Sequence, residues 1–266
     1  MGTSTRIPGP RADTGPWRAA RRRLRTWQRE LAGEADPGGG GDAEGRVGTV
    51  ATAYLQALAE HLRSDPAAFG LQGALKAAGV RLSVVLPRFV RDQHARIVDG
   101  SAPGDTAGGS GDEGLDALRG FVDRVAGDGA LVVDSAVRRA ATRTAAHAVQ
   151  RLRAGLDPAG EPPAPGESPL DAAFCAAYAF FFADAVRQFL TTLMAEQEAL
   201  PAVTAGDPLA LVGDRITAQV GALVPDPCGG AGRDLPPAVL GERAVSLVDV
   251  AVQRVLGLPP DSERAA

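Results

Sequence analysis

The sequence predicts an all-α protein, a bundle of eight or nine helices around one buried central helix at 169–198. Three observations carry this. Every segment between the Gly- and Pro-rich breaks spaces its apolar residues by threes and fours, the helical period. No segment alternates polar and apolar residues long enough to make a strand. The stretch PLDAAFCAAYAFFFADAVRQFLTTLMAEQE is apolar on every side through its first half, which places that helix inside a core or in lipid.

The central helix begins with Ser168 as cap and Pro169 in the first turn. Phe174, Tyr178, Phe181, Ala185, Phe189 and Leu193 recur at helical spacing, and five of the eight Phe lie here. The apolar run from Ala172 to Ala183 is too short to span a bilayer and ends at Asp184 and Arg187. No other stretch is expected to cross a membrane.

The remaining elements follow in order. Residues 1–15 carry Gly, Pro and Thr and are expected to be disordered. Pro16 then opens a helix in which Trp17, Ala20, Leu24, Trp27 and Leu31 form an apolar stripe and six Arg take the other faces. Either this is a basic amphipathic helix for an anionic surface, or its Trp residues dock on the body and leave the Arg in solvent. Residues 33–45 read as a flexible linker, with further breaks at 99–114, 155–168 and 224–234. A helix over 46–64 has Val50, Tyr54, Leu58 and Leu62 on one face. Asp65 and Pro66 start a short helix over 66–78 that Gly79 ends, and a second follows over 80–98, interrupted by Pro87. Helices at 112–125 and 128–153 come next. Asp207-Pro208 starts one whose stripe is Leu209, Val212, Ile216, Val220 and Leu223. Pro236 and Pro237 open the last, with Leu240, Ala244, Leu247 and Ala251.

Composition is that of an ordinary globular chain of 266 residues, with 45% hydrophobic and 23% charged residues. One Lys stands against 27 Arg and there is no Asn, as a GC-rich genome produces, so Arg abundance has no functional meaning in itself. The net charge of −4 is uneven, because residues 1–31 hold eight Arg against Asp13 and Glu30. Cys175 and Cys228 make neither a metal spacing nor a disulfide framework, which points to a reducing cytoplasm. No signal peptide is expected, since the N-terminal stretch has charge without an apolar core.

Enzyme signatures are missing. His61, His94 and His147 are dispersed, and there is no nucleophile elbow, phosphate loop or dinucleotide fingerprint. The expectation is therefore no enzyme, no metal and no cofactor. Asp184 needs a partner if buried, and Arg187, three residues on, supplies it; the alternative is a ligand-binding carboxylate. Arg139, Arg143, His147 and Arg151 are spaced by four along one face, suited to an anionic ligand, an acidic partner or plain solvation. Beside the central helix, large Phe174, Tyr178 and Phe181 alternate with small Ala. Either they fill the core or they wall an apolar pocket for a small hydrophobic ligand, with Cys175, Tyr178 and Asp184 as its polar groups.

Residues 74–89, ALKAAGVRLSVVLPRF, resemble the DNA-binding segment of TetR-type repressors. Ala78, Gly79 and Val80 match the A-G-V that ends the helix before that family's short turn, and Phe89 matches the Phe that closes its recognition helix. Leu86, Pro87 and Arg88 depart from the family pattern. The resemblance implies a helix-turn-helix domain over 46–98, a ligand-binding and dimerisation domain over 112–256, and a ligand-responsive homodimeric regulator of transcription. It implies duplex DNA as partner, with Arg81, Ser83, Arg88 and Arg91 toward bases or phosphates. The alternative is a helical protein-interaction module without nucleic-acid binding or catalysis.

Overall fold

The computed structural model describes residues 15–31, 43–99, 111–129, 132–156, 168–197, 208–229 and 236–259. The expected disorder at 1–14, most of the 33–45 linker and parts of the later breaks lie outside these residues. Among the described residues there are eight α-helices and no strand, as the periodicity predicts. They are α1 Gly15–Leu31, α2 Ala43–Ser64, α3 Leu71–Val98, α4 Gly111–Ala126, α5 Val132–Leu156, α6 Pro169–Gln197, α7 Pro208–Gly221 and α8 Pro237–Val255.

Helix α6 lies in the middle, packed against α3, α5, α7 and α8. Its start is the predicted one, for the Leu170 amide donates to Ser168 Oγ at 3.2 Å. Phe181, Phe182, Val186, Leu190, Leu193 and Met194 are fully buried. By length and composition alone, Ala68–Val98 and Pro169–Glu196 are each long and apolar enough to cross a membrane, a test that the buried core helix of a bundle also passes. Here both are packed in the bundle.

Helix α1 lays its apolar stripe on α2. Trp17, Ala20, Leu24 and Trp27 are all buried, and the Trp17 ring meets Tyr54 edge-on at 6.2 Å. Glu30 pairs with Arg46 across the same contact at 2.6 Å. This is the docked arrangement of the two foreseen. Leu223, expected on the buried stripe of α7, lies past the helix end and is exposed.

Helix α3 corrects the largest expectation. Residues 66–70 form a turn, in which the Asp65 carboxylate accepts from the Ala67 amide at 3.1 Å, and then one 3-10 turn over Ala68–Gly70, where Phe69 and Gly70 take left-handed backbone. From Leu71 to Val98 the helix is unbroken, with no turn at Gly79 and no second helix starting at Val80. Gly79 serves close packing instead. A Cβ there would stand 2.7 Å from Phe182 Cζ and 3.0 Å from Val248 Cγ1, so its absence lets α3 approach both α6 and α8. Pro87 lies inside the helix and cannot donate to the Ser83 carbonyl one turn back. Leu75, Leu82, Leu86 and Phe89 of α3 are buried in the same cluster as residues of the later helices.

Candidate functional site

The four residues expected to meet DNA go to different places. Arg81 points inward: its Nε donates to the Val125 carbonyl at 2.8 Å and its NH2 to Ala126 at 3.1 Å. With Arg138, which donates to the Gly127 carbonyl at 2.9 Å, it satisfies acceptors that the end of α4 would otherwise leave open. Ser83 is fully buried and its hydroxyl donates to the Gly79 carbonyl at 2.8 Å. Arg88 and Arg91 are exposed and line a groove of about 330 Å³ between α3 and α8, with Glu242 on its other wall. Phe89, matched to the closing Phe of a recognition helix, packs on Phe121 of α4 at 4.5 Å.

The aromatic residues expected to wall a pocket are core. Phe174, Tyr178 and Phe181 are buried. The Tyr178 hydroxyl donates to the Ala244 carbonyl of α8 at 3.1 Å, and burial pushes its pKa up. Its ring meets Phe182 edge-on at 5.1 Å. Asp184 does not join them. It faces α5, where Arg143 pairs with it, while Tyr178 and Phe182 face α3 and α8.

Around Asp184 the polar groups converge. Its carboxylate has no exposed surface. Oδ1 forms an ion pair with Arg143 of α5, whose Nε stands 3.2 Å away, and accepts from Arg187 NH1 one turn along α6 at 3.3 Å. Oδ2 accepts from Gln188 Nε2 at 3.3 Å. Burial pushes the Asp184 pKa up, against the opposing pull of Arg143, Gln188 and Arg187. Arg187 also reaches Asp214 of α7 at 3.3 Å. The expected Asp184–Arg187 pair is therefore present. Spacing could not show the links to Arg143 and Asp214, which are made between helices.

Above this cluster lies an open groove of about 510 Å³, lined by Arg139, Arg143, Arg187, Gln188, Thr191 and Thr192, with Glu196 and Leu209 also on it. Arg143 pairs with Asp184 through its Nε side and remains half exposed, so the outer edge of its planar fork stays open to the groove. Its guanidinium also stands 5.9 Å from the centre of the Phe180 ring, on which His147 stacks at 4.4 Å. The row of four on α5 thus divides. Arg139 and Arg143 face the groove, and His147 packs on α6, where burial first and then Arg151 lower its pKa.

Cys175 is the other surprise. It forms a disulfide with Cys228, with 6.2 Å between their Cα atoms, where no disulfide was expected. The residues are 53 positions apart, and the turn after α7 folds back over the first turns of α6 to bring them together. Asp226 is the third member of this group.

Comparison with protein families, with curated proteins and with solved structures finds no match to this chain.

Proposed function

We propose that this chain is a helical interaction module, and that the groove between α5, α6 and α7 takes the carboxylates of an acidic partner. The supporting observation is the buried Asp184 carboxylate, which pairs with Arg143 and Arg187 beside Arg139 at the groove wall. A guanidinium oriented from behind loses little freedom when it grips a second carboxylate, and the grip is charge-assisted. Nothing in this reading calls for catalysis.

A labelled oligoglutamate peptide tests it by fluorescence anisotropy at low salt. Replacing Arg139 and Arg143 together by Ala should weaken binding about tenfold or more and reduce its salt dependence. Changing Arg22 and Arg23 of α1 to Ala should have a smaller effect. Equal losses from both pairs would mean only diffuse attraction to a cationic chain.

The repressor reading keeps one supporting observation, the exposure of Arg88 and Arg91 on α3. Sequence-specific duplex binding lost on Arg88→Ala, together with indifference to Arg139 and Arg143, would favour it over the interaction module. The homodimer and the small hydrophobic ligand belong to that reading.

A further inference from the structure

We propose that the reduced chain carries a Zn²⁺ site formed by the sulfurs of Cys175 and Cys228 and the carboxylate of Asp226, and that the disulfide is the metal-free, oxidised form of the same site. The two sulfurs and a carboxylate oxygen of Asp226 all lie within 4.8 Å of one another. Two thiolates and a carboxylate suit a zinc-like cation, and three protein ligands leave a fourth position for water.

What makes this a site, rather than two cysteines that happen to meet, is that Cys228 is positioned without the disulfide. Residues 226–229 read Asp-Pro-Cys-Gly, the residue order of a tight turn. The Gly229 amide donates to the Asp226 carbonyl at 3.2 Å, and the Cys228 amide donates to Asp226 Oδ1 at 2.8 Å. Arg243 of α8 donates to the Gly229 carbonyl, tying the turn to the body. Cys228 Sγ lies 3.6 Å from the Asp171 carbonyl oxygen on the first turn of α6, and Cys175 follows one turn later on that helix. When the S–S bond opens, these contacts keep both thiols and the carboxylate together. Asp226 uses Oδ1 within the turn, which leaves Oδ2 for the metal.

The chemistry balances with a low-molecular-weight dithiol as reductant. The S–S bond breaks, each Sγ gains a proton, and the dithiol departs as its own cyclic disulfide. Zn²⁺ then displaces the two thiol protons to solvent. The same class of reaction run backward, with a small disulfide as oxidant, closes the bond and expels the metal.

Co²⁺ is the probe, because its thiolate complexes absorb in the near ultraviolet. The full chain is reduced with a phosphine, so that no added thiol competes, and titrated with Co²⁺. The reduced chain should bind one Co²⁺ with a thiolate charge-transfer band that Zn²⁺ abolishes, while the oxidised chain gives no band. Asp226→Asn should weaken binding at least about tenfold, and Cys228→Ser should remove the band. Three results would overturn the proposal: no band from the reduced chain, a band that survives Cys228→Ser, or a band accompanied by loss of helical circular dichroism. In the last case the thiols would be binding from an unfolded chain.

Discussion

Gly241 of α8 lies against the backbone carbonyl of Ser83, the acceptor that Pro87 leaves without its helical donor. A Cβ at 241 would stand 3.0 Å from that oxygen and 3.5 Å from Pro87 Cγ. The missing hydrogen bond and the missing side chain meet at one point of the α3–α8 contact. Gly241→Ala should therefore destabilise the fold, by about 1–3 kcal/mol, although it replaces a helical glycine with the best helix former. Urea denaturation reads the sign. A gain in stability would mean that the two helices are less close than this.

Gly79→Ala tests the continuity of α3 in the same way. Propensity favours the change by about 1 kcal/mol, but the fully buried Phe182 ring stands where the methyl would go. The clash should win, and the variant should be less stable. Were Gly79 the end of a helix, with left-handed backbone, Ala would be costly for another reason and Asn would be tolerated. In the unbroken helix Asn should be worse than Ala.

Trp17→Ala should cost about 3–5 kcal/mol, the usual loss for a large buried aromatic. The Trp17 Nε1 makes no hydrogen bond among the described residues, so Trp17→Phe should cost much less than Trp17→Ala. Melting temperatures of the two variants check this. If both left stability unchanged, α1 would be an independent arm.

These cases also show what was legible. The apolar stripes of α1, α2 and α6 were readable because period alone determines a helix, and the Ser168 cap because its chemistry is local. Gly79 was misread because a glycine that ends a helix and a glycine that admits a neighbour look the same in one dimension. The neighbour, Phe182, is more than a hundred residues away. The Asp184–Arg187 pair was visible at a spacing of three. The Arg143 and Asp214 partners and the Cys175–Cys228 bond depend on how helices meet, and no spacing rule contains that.

Asp184→Asn keeps the shape of the side chain and removes its charge beneath Arg143 and Arg187. It should cost about 1–3 kcal/mol, since a hydrogen-bonded charge is lost while Arg187 retains Asp214. It should also weaken oligoglutamate binding less than the Arg139/Arg143 double change. Binding stronger than wild type would show that Asp184 competes with the ligand rather than orienting its receptor.

His147 gives a pH dependence. Its folded value lies below the ordinary 6.5, so the unfolded chain holds the proton more tightly. Its contribution to stability is complete above that value and is lost as the pH falls through the folded one. Melting temperature should fall on acidification from about pH 7.5 to about pH 5.5, and His147→Phe should reduce the fall. An equal fall in both proteins would assign it to other groups.

Helices α3 and α8 touch at Gly79 with Val248 and at Ser83 with Gly241, yet α8 is the last described helix made during synthesis. On the ribosome, the face of α3 that α8 covers waits uncovered while α4 to α7 are added and assemble around it. A premature stop before Pro237 would leave that face permanently open, with the Ser83 carbonyl and the Phe182 ring beneath it. Nascent chains arrested at that length should be the ones that chaperones hold and proteases remove, while chains in which α8 has emerged escape both.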